Sequence, residues 1–529
     1  MKILKQNLWC LLAFVSIMAV AQSDWQSNPM VRLTMNVYAE QIAANPQDYS
    51  AYYGRAKEYF RYGEMDLALV DLNEAIKYFP QQMASELSQA YTMRGLIYQE
   101  KGKLNNALVD LNKALQLDAT SRFSLIARAD LLFEMGDYEH AYEDYQSLLR
   151  RDVRCQEAYI GLARIALKEA NMGLCNDYLK KLQETNPRSP EMYVARGAVY
   201  EEMKEWRKAA DDYVSAMIYG DNHSAVAALS LLAKKTYYPV VEALTAAIEL
   251  TDDKGFYLFL RGTIHMNHAQ YTPSIKDWNE IIEQKYYHYH SIYANRANCY
   301  LHLGQFEYAL ADIQTAIDMK GDEVSYFIVR SKINRIMGFF DKAAEDLAIA
   351  ATFDIANVEV LQQKGLLAAE QGDLEAALGF YNEAILYNAD DAYSYLLRSV
   401  NYEKMGNLTA AANNCQMVIS LPEEVPTFAT LRGFAWARLG RAAEAEQWIE
   451  AVLREKGDMV GGIEYYQAAC LYAQTGNKER AYHYLELAFK AGYADYYNIY
   501  FECDSPISLA PLRGESDFSS LVQAYSSIF

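Results

Sequence analysis

Cysteine is scarce in this chain, and the spacing of the few cysteines excludes the common cysteine-based sites. Seven cysteines occur among 529 residues, with no Cys-x-x-Cys pair and no zinc-ribbon pattern. Cys299, Cys415 and Cys470 fall on predicted helices where alanine or leucine would also fit, so we predict small buried thiols there. Cys155 and Cys175 could pair in an oxidising compartment, and the sequence leaves open whether they are bridged.

Catalytic and cofactor-binding motifs are lacking as well. The chain has no Gly-x-Ser-x-Gly elbow, no phosphate-binding glycine loop, no His-Glu-x-x-His motif and no dinucleotide fingerprint. Only eight histidines occur. His265 and His268 share a predicted helix, but His265 replaces a tyrosine of the repeating pattern described below, so a core role is the better interpretation than metal ligation. We therefore predict no enzymatic activity, no cofactor and no metal site.

Basic residues are fewer than acidic residues. The chain has 49 lysines and arginines against 69 aspartates and glutamates, for a formal net charge of -20 at pH 7. A chain this acidic repels nucleic acid and anionic membrane surfaces. We therefore expect no nucleic-acid partner.

Long hydrophobic runs are missing except near the start of the chain. An apolar run over residues 8–18 follows two lysines and is itself followed by an Ala-x-Ala cleavage site at residues 19–21. This order is typical of a secretory signal peptide, and the run is shorter than the roughly 20 residues that span a bilayer. A lipid anchor would require cysteine at the cleavage junction, where Gln22 stands instead. We predict that residues 1–21 are removed and that the protein is exported, without membrane insertion, to the periplasm or the exterior of a bacterium.

A helix-turn-helix pattern fills most of the remaining chain, and its clearest copy spans residues 88–119. The first helix of this copy ends at Gly102. Neither helix can bury its apolar face alone, so the unit needs neighbours, and similar units recur at a period of about 34 residues. Two stripes predicted to be buried have helical spacing. They comprise Tyr91, Arg94, Gly95 and Tyr98 in the first helix and Ala107, Leu111, Ala114 and Leu117 in the second.

Small residues stand where the two helices of a unit must come closest. Gly95 and Ala107 occupy these places in the clearest copy, and larger side chains there would push the helices apart. With aromatic residues and prolines at set offsets, the unit resembles the tetratricopeptide repeat. The resemblance covers nearly the whole chain after residue 28. It implies an all-α fold, a right-handed α-solenoid of stacked helix pairs.

Comparison of the copies predicts how the chain is divided. The sixth copy is degenerate, because its first helix is alanine-rich and lacks the usual glycines, while Pro239 suits the first turn of its second helix. The last predicted helix would cover the final apolar face, as terminal caps must. After the signal peptide the predicted parts are a lead-in with a capping helix (22–48), repeats 1–5 (49–220), the degenerate repeat 6 (221–254), repeats 7–12 (255–456), a linker with repeat 13 (457–492) and a C-terminal capping segment (493–529).

An arginine and an aspartate recur at fixed positions of the copies. The arginine precedes the small residue of the first helix, and the aspartate follows sixteen residues later in the second helix. The two columns vary together, since the tenth copy has Lys364 with Phe380. We therefore predict a structural ion pair, within a repeat or between adjacent repeats, rather than a series of ligand-binding arginines. The copies with both residues have Arg55 and Asp71, Arg94 and Asp110, Arg128 and Asp144, Arg196 and Asp212, Arg261 and Asp277, Arg296 and Asp312, and Arg330 and Asp346.

The resemblance also implies where a partner would bind. In tetratricopeptide repeat proteins, residues on the concave face of the first helices bind extended or helical peptides. Exposed aromatic residues flanked by charge are typical of such surfaces, although packing between repeats is an equally good interpretation of any single one. By repeat position the candidates are Tyr53, Lys57, Phe60, Phe123, Ile126, Phe133, Phe256, Phe259, Lys332, Arg335, Tyr393, Phe434 and Tyr466.

These observations favour a non-enzymatic scaffold of the cell envelope or periplasm that holds a partner protein or peptide in its concave groove. The alternative is a glycan-binding protein that uses clustered tyrosines. The run Lys285-Tyr-Tyr-His-Tyr-His290 between repeats 7 and 8 could stack on a sugar or contact a partner through its amphipathic rings. It could equally be a plain loop between repeats.

Overall fold

The protein is described here by a computed structural model in which the defined residues are 28–221, 223–422, 428–457, 460–501 and 505–526. All regular elements within these ranges are helices, and no strand occurs there. The predicted signal peptide lies outside the described residues. None of the described helices is both long enough and apolar enough to cross a bilayer. The chain divides into two compact units, one ending at residue 232 and the other beginning at residue 233.

The first unit contains a single helix followed by helix pairs. The single helix, α1 (Pro29–Ala44), packs on the first pair. The pairs are α2 (Tyr49–Arg61) with α3 (Met65–Tyr78), α4 (Ala84–Glu100) with α5 (Leu104–Leu117), α6 (Arg122–Met135) with α7 (Tyr138–Arg151), α8 (Gln156–Lys168) with α9 (Met172–Thr185), and α10 (Pro190–Glu202) with α11 (Trp206–Ile218).

The second unit begins inside α12 (Ser224–Ala233), the first helix of repeat 6, and continues with α13 (Tyr238–Leu250). Its further pairs are α14 (Lys254–Asn267) with α15 (Tyr271–Glu283), α16 (His290–His302) with α17 (Phe306–Met319), α18 (Val324–Ile336) with α19 (Phe340–Phe353), α20 (Val358–Glu370) with α21 (Leu374–Tyr387), α22 (Ala392–Lys404) with α23 (Leu408–Ser420), α24 (Phe428–Arg438) with α25 (Ala442–Lys456), and α26 (Gly462–Gln474) with α27 (Lys478–Lys490). The short helix α28 (Tyr496–Tyr500), a 3-10 turn (Ala510–Leu512) and α29 (Ser516–Ser526) follow.

The packing of these helices confirms the predicted all-α solenoid of stacked pairs. Each first helix packs on the second helix of its own repeat, and first helices of successive repeats also contact each other in both units. The first helices therefore form the inner layer of each unit. We call the surface that they share the inner face.

The close approach predicted between the two helices of a repeat is present at Gly95. A Cβ atom added there would lie 3.0 Å from Leu111 Cγ and 3.3 Å from the carbonyl oxygen of Ala107. Both distances are shorter than ordinary contacts, so a larger side chain would force the helices apart. The glycine therefore sets the separation of the two helices.

The turn between the two helices of a repeat requires a left-handed backbone conformation. Gly102 and Gly136 adopt φ values of 69° and 82° at this place, which glycine reaches without steric cost. Repeat 4 has Ala170 there, and its φ is also positive, at 57°. A left-handed alanine costs about 1–2 kcal/mol, because its Cβ atom crowds the following carbonyl.

Replacing Ala170 with glycine is therefore expected to stabilise the first unit. The conformational strain that glycine removes exceeds the additional entropy cost of ordering glycine on folding. The free energy of unfolding should therefore rise by about 0.5–1 kcal/mol. The midpoint of thermal unfolding, followed by far-UV circular dichroism, measures it. The control is Gly136→Ala, which should lower the midpoint by a similar amount. An unchanged or lower midpoint for Ala170→Gly would contradict the strain argument.

The recurring arginine and aspartate form ion pairs inside each repeat, which confirms the structural interpretation. Arg296 is typical: its Nε lies 2.6 Å from Asp312 Oδ2 and its Nη2 lies 2.8 Å from Asp312 Oδ1. The third nitrogen, Nη1, donates to Asn279 Oδ1 on the second helix of the preceding repeat, at 2.7 Å. In all seven copies that have both residues, the pair forms within the repeat. Each arginine therefore holds together the two helices of its own repeat, and in most repeats it also binds the previous repeat.

The surroundings of these arginines explain why the pair is stable although it is buried. Burial alone would lower the pKa of Arg296, but hydrogen bonds and attraction to Asp312 raise it above its ordinary value. The guanidinium also lies 5.8 Å and 5.9 Å from the ring centres of Tyr293 and Tyr300, where cation–π attraction adds to the pair. Arg398 differs, because its partner is the neutral Asn414, and burial lowers the pKa of Arg398.

Repeat 6, which the sequence marks as degenerate, contains the boundary between the two units. Its first helix, α12, has only ten residues. Pro239 lies in the first turn of α13, as predicted, where the missing N–H of proline costs nothing.

Candidate functional site

The predicted site residues of the first unit divide into buried and accessible ones. Three of them are buried and pack between repeats, where a partner could not reach them: Tyr53, Phe60 and Phe133. Burial raises the pKa of Tyr53 to about 12, and its hydroxyl donates to Gln89 Oε1 at 3.2 Å. Phe123, in contrast, is 50% exposed.

Two accessible positions remain close to this buried layer. Lys57 is exposed, and its ammonium lies 4.8 Å from the ring centre of Tyr53. Ile126 is partly exposed, one helical turn after Phe123 on α6. The inner face of the first unit therefore offers an apolar anchor on α6 and a cation on α2.

Polar side chains join neighbouring first helices along the same face. Gln99 donates to Glu134 Oε2 at 2.7 Å, and Arg164 Nε donates to Glu202 Oε1 at 3.0 Å. The Arg164 guanidinium also lies 4.5 Å from the ring centre of Phe133. These contacts hold successive first helices in place.

The predicted residues of the second unit are mostly engaged within the chain itself. Phe434 is fully buried and Tyr466 is nearly so, which corrects their assignment as exposed anchors: both pack inside the unit. Lys332 forms an ion pair with Glu359 at 2.8 Å. The partly buried rings of Phe256 and Phe259 make edge-to-face contacts, with Tyr257 at 5.3 Å and Trp278 at 5.4 Å.

The inner face of the second unit is occupied by the chain's own C-terminal segment, described at residues 493–501 and 505–513. The segment leaves repeat 13 at Gly492, whose φ is +85°. A Cβ atom at Gly492 would lie 2.6 Å from Gln270 Oε1, and Gln270 Nε2 donates to the carbonyl oxygen of Ala491 at 3.1 Å. Repeat 13 therefore meets repeat 7 directly at this point.

Asp495 is the centre of the contacts between the C-terminal segment and repeats 7 and 8. It is only 3% exposed. Tyr271 donates its hydroxyl to Asp495 Oδ2 at 3.3 Å, and His302 Nδ1 lies 2.9 Å from Asp495 Oδ1. The Tyr271 and His302 rings stack at 4.7 Å with planes 4° apart. Burial, with the Asp495 carboxylate nearby, raises the pKa of Tyr271 well above its usual range.

Tyr497 extends the contact to repeat 9. Its ring lies edge-on to His302 at 5.6 Å, and its hydroxyl accepts a hydrogen bond from Arg335 Nη2 at 3.1 Å. Arg335 also pairs with Glu370 of the next repeat. The predicted residue Arg335 thus lies on the inner face, as its repeat position implies, and binds this protein's own tyrosine.

Two further predicted residues contact the same segment. Tyr466 donates its hydroxyl to the carbonyl oxygen of Asn498 at 3.1 Å and stacks on Tyr493 at 4.6 Å. The Tyr393 hydroxyl lies 3.4 Å from Ser505 Oγ. These two predicted residues therefore contact the protein's own C-terminal segment, which their repeat position alone does not indicate.

Sequence reasoning missed the residues that close the second unit: Gln270, Tyr271, His302, Asp495 and Tyr497. None belongs to the set carried over from the repeat pattern. The sequence after Gly492 contains more aromatic residues than one capping helix would bury. This excess was a signal that the segment packs against other repeats. The final helix α29 does pack on repeat 13, where Tyr525 stacks on Phe489 at 5.2 Å.

The other sequence candidates have structural roles. His265 is buried, its Nδ1 lies 2.6 Å from the Tyr237 hydroxyl, and burial lowers its pKa to about 4, so its predicted core role is confirmed. His268 Nε2 lies 2.9 Å from the carbonyl oxygen of Ala233. Among the described residues no group of histidine, cysteine and acidic side chains could hold a metal ion.

The cysteines within the described residues are buried free thiols. This confirms the prediction for Cys299, Cys415 and Cys470, and it leaves Cys155 and Cys175 unbridged. Burial raises the pKa of both Cys155 and Cys175 to about 11, so neither is a reactive thiolate at neutral pH.

The aromatic junction at residues 285–290 packs as a loop between repeats. Tyr287 donates its hydroxyl to Asp253 Oδ1 at 3.1 Å, and its ring stacks on Tyr289 at 5.4 Å. His290 Nδ1 lies 2.5 Å from the Tyr326 hydroxyl. Of these aromatic side chains Tyr289 is largely exposed, at 56%.

Comparison with known proteins agrees with this architecture. Profiles described as tetratricopeptide repeat match residues 88–121, 290–323, 358–391 and 465–491, and a second profile of the same description matches residues 126–172. The chain is 25% identical over 333 residues to a DnaJ homolog subfamily C member 7 homolog of Schizosaccharomyces pombe, covering 54% of this chain and 68% of that protein. It is 29% identical over 280 residues to sperm-associated antigen 1 of Rattus norvegicus, covering 51% of this chain but only 27% of that protein.

Solved structures give likenesses of the same kind. Yeast Tom70 shares 16% identity over 83% of this chain and 95% of its own, with a TM-score of 0.39. A tetratricopeptide repeat protein of Parabacteroides merdae shares 17% identity over 55% of this chain and 99% of its own, with a TM-score of 0.28. The profile matches fall on helix pairs whose glycine turns, close helix approach and stacking are those described above, and this chain therefore contains tetratricopeptide repeats.

Proposed function

We propose that the protein is a non-enzymatic scaffold that binds a partner protein or peptide on the inner face of its first unit, and that it acts outside the cytoplasm of a bacterium. Tetratricopeptide repeat proteins bind protein partners. The observation that carries the choice of site is that the second unit's inner face is filled by the C-terminal segment, whereas Phe123 and Lys57 remain accessible on the first unit.

The chemistry of the first unit's inner face fits a peptide with an apolar side chain. Phe123 and Ile126 on α6 form the apolar anchor. Arg122 and Glu157, paired at 2.8 Å and both about half exposed, lie beside Phe123 at the start of the first helices of repeats 3 and 4. An apolar centre with a charged rim is the usual composition of a protein-binding patch. The accessible apolar side chain therefore supplies affinity, and the rim supplies orientation.

A photo-crosslinking experiment tests this site. A photoreactive amino acid is placed at Ile126 in the full chain, and in a matched control at Val109, which is 68% exposed on the second helix α5. Crosslinked partners from cell-envelope extract are identified by mass spectrometry, and the strongest is purified for binding measurements. We expect a partner captured at position 126 and not at position 109.

The purified partner then allows a direct test with Phe123→Asp. Burying a charge in the anchor site should weaken binding by at least about tenfold, while Val109→Asp should leave it unchanged. Equal affinities for the two variants would refute the site. The export part of the proposal is tested separately, by N-terminal sequencing of the protein from the native host: a mature chain that begins at Gln22 is expected, and recovery of the intact start in the cytoplasm would refute export.

A further inference from the structure

The C-terminal segment has a second side that the closure of the unit does not use. Asp495, Tyr497 and Ile499 are buried against the repeats. Tyr496 and Tyr500 lie one helical turn apart in α28 and point away from this buried side. Their rings are 6.4 Å apart with planes 20° from parallel, and Tyr500 is 43% exposed. Docking of the segment therefore holds a pair of aromatic rings at the surface of the second unit.

These rings line a cleft between the C-terminal segment and repeats 7 and 8. The cleft has a volume of about 550 Å³, within the range of roughly 300–1,000 Å³ that is usual for small-molecule sites. Its wall is formed by α15, the turn between α16 and α17, and α28. The residues that line it are Thr272, Ile275, Lys276, Tyr300, Leu303, Gly304, Gln305, Tyr496, Tyr500 and Phe501.

Aromatic rings are concentrated in this cleft. Tyr300 faces the rings of α28 from the repeat side and contacts the exposed ring of Tyr308 at 5.4 Å. Phe501 packs edge-on against Phe306 at 5.1 Å, which fixes its orientation. The rings are thus held from both sides, so a ligand would meet aromatic surfaces that are already in position.

Polar groups with spare hydrogen-bonding capacity surround these rings. Thr272 Oγ1 is buried and finds no hydrogen-bond partner among the described residues, which is costly unless a ligand or water supplies one. The side chains of Lys276 and Gln305 and the hydroxyls of Tyr300, Tyr496 and Tyr500 also line the cleft. In the part of the chain that the structure describes, Lys276 is the one charged residue of the lining. The cleft therefore combines aromatic faces with several mostly neutral donors and acceptors.

We infer that this cleft is a binding site for a neutral oligosaccharide. A pyranose ring presents an apolar C–H face, which stacks on an aromatic ring, and a rim of hydroxyls, each of which both donates and accepts hydrogen bonds. This is the complement of the cleft. A cationic ligand is disfavoured by Lys276, and a nucleic acid by the overall negative charge of the chain. The site is separate from the protein-binding face proposed for the first unit and stands without it.

Binding of oligosaccharides to the full chain tests the inference. A panel of neutral gluco-, xylo-, manno- and galacto-oligosaccharides is screened by saturation-transfer NMR, and each binder is measured by isothermal titration calorimetry. At least one binder is expected. Tyr500→Ala should weaken it about tenfold, the loss of one stacking contact, while Tyr500→Phe, which keeps the ring, should change it less than threefold. Lys276→Ala, an exposed position, should weaken it severalfold and provides a second variant that leaves the core untouched.

The matched control is Tyr289→Ala, which removes an exposed tyrosine (56%, against 43% for Tyr500) from the junction at residues 285–290. It should bind as the unsubstituted protein does. The inference is overturned if no sugar of the panel binds, if Tyr500→Ala binds normally, or if Tyr289→Ala loses binding instead, since the site would then be the junction. Binding of a proline-rich peptide in the cleft, with no sugar of the panel binding there, would also overturn it.

Discussion

Replacing Arg296 with alanine is expected to lower the free energy of unfolding of the second unit by about 3 kcal/mol, because it leaves the Asp312 carboxylate buried without its partner. Arg296 and Asp312 have side chains only 17% and 10% exposed, so solvent compensates little for the lost pair. The substitution also removes the hydrogen bond to Asn279 on the preceding repeat. The loss should therefore include part of the coupling between repeats 7 and 8. Urea unfolding followed by far-UV circular dichroism measures it.

Arg398 provides the matched control for this prediction. It occupies the same repeat position and makes the same kind of contacts, with Asn414 at 2.8 Å and Asn382 at 2.7 Å, but neither partner is charged. Arg398→Ala should therefore cost only about 1–2 kcal/mol, because it leaves neutral amides rather than a buried carboxylate without their partner. The double variant Arg296→Ala, Asp312→Ala should recover part of the loss of the single one. Equal losses for Arg296→Ala and Arg398→Ala would show that the buried carboxylate is not the cause.

The repeats were predictable because each helix pair repeats the same local constraints. Gly95 predicts a close helix approach and Gly102 predicts the end of the first helix, and the structure confirms both. The arginine and aspartate columns were equally informative, because two residues that vary together sixteen positions apart indicate a structural pair, which the structure shows within each repeat. Ala170 shows that the turn geometry persists even where the expected glycine is missing.

The closure of the second unit was not predictable in this way, because its contacts join distant parts of the chain. Asp495 meets Tyr271 and His302, 224 and 193 residues away, and Tyr497 meets Arg335 across 162 residues. Periodicity within a repeat carries no information about such pairs. The repeat pattern places Arg335, Tyr393 and Tyr466 on the inner face. Whether that face is accessible depends on where repeat 13 and the segment after it pack. For this reason the inner-face aromatic residues of the two units, although alike in sequence, differ in what they contact.

Replacing Tyr497 with alanine is expected to open the second unit locally and to destabilise it by about 3–5 kcal/mol. Tyr497 is 5% exposed and packs with Ala294 and Tyr326 in one apolar cluster, so truncation leaves a cavity of the kind that costs this much. It also removes the hydroxyl that Arg335 binds. The C-terminal segment should then separate from repeats 7–9 more often than it does in the unsubstituted protein.

Hydrogen–deuterium exchange in the full chain measures this opening. Faster exchange is expected in α28 and at the ends of α16 and α18, with no change in the helix pairs of the first unit. Tyr500→Ala is the matched control, since it truncates a tyrosine of the same short helix on its exposed side and should alter neither stability nor exchange appreciably. Tyr497→Phe should lose only the hydrogen bond to Arg335, about 1 kcal/mol. If Tyr497→Ala exchanged no faster than Tyr500→Ala, the segment would be held by its covalent connection to repeat 13 and not by the inner face, and that face would be free to take a partner.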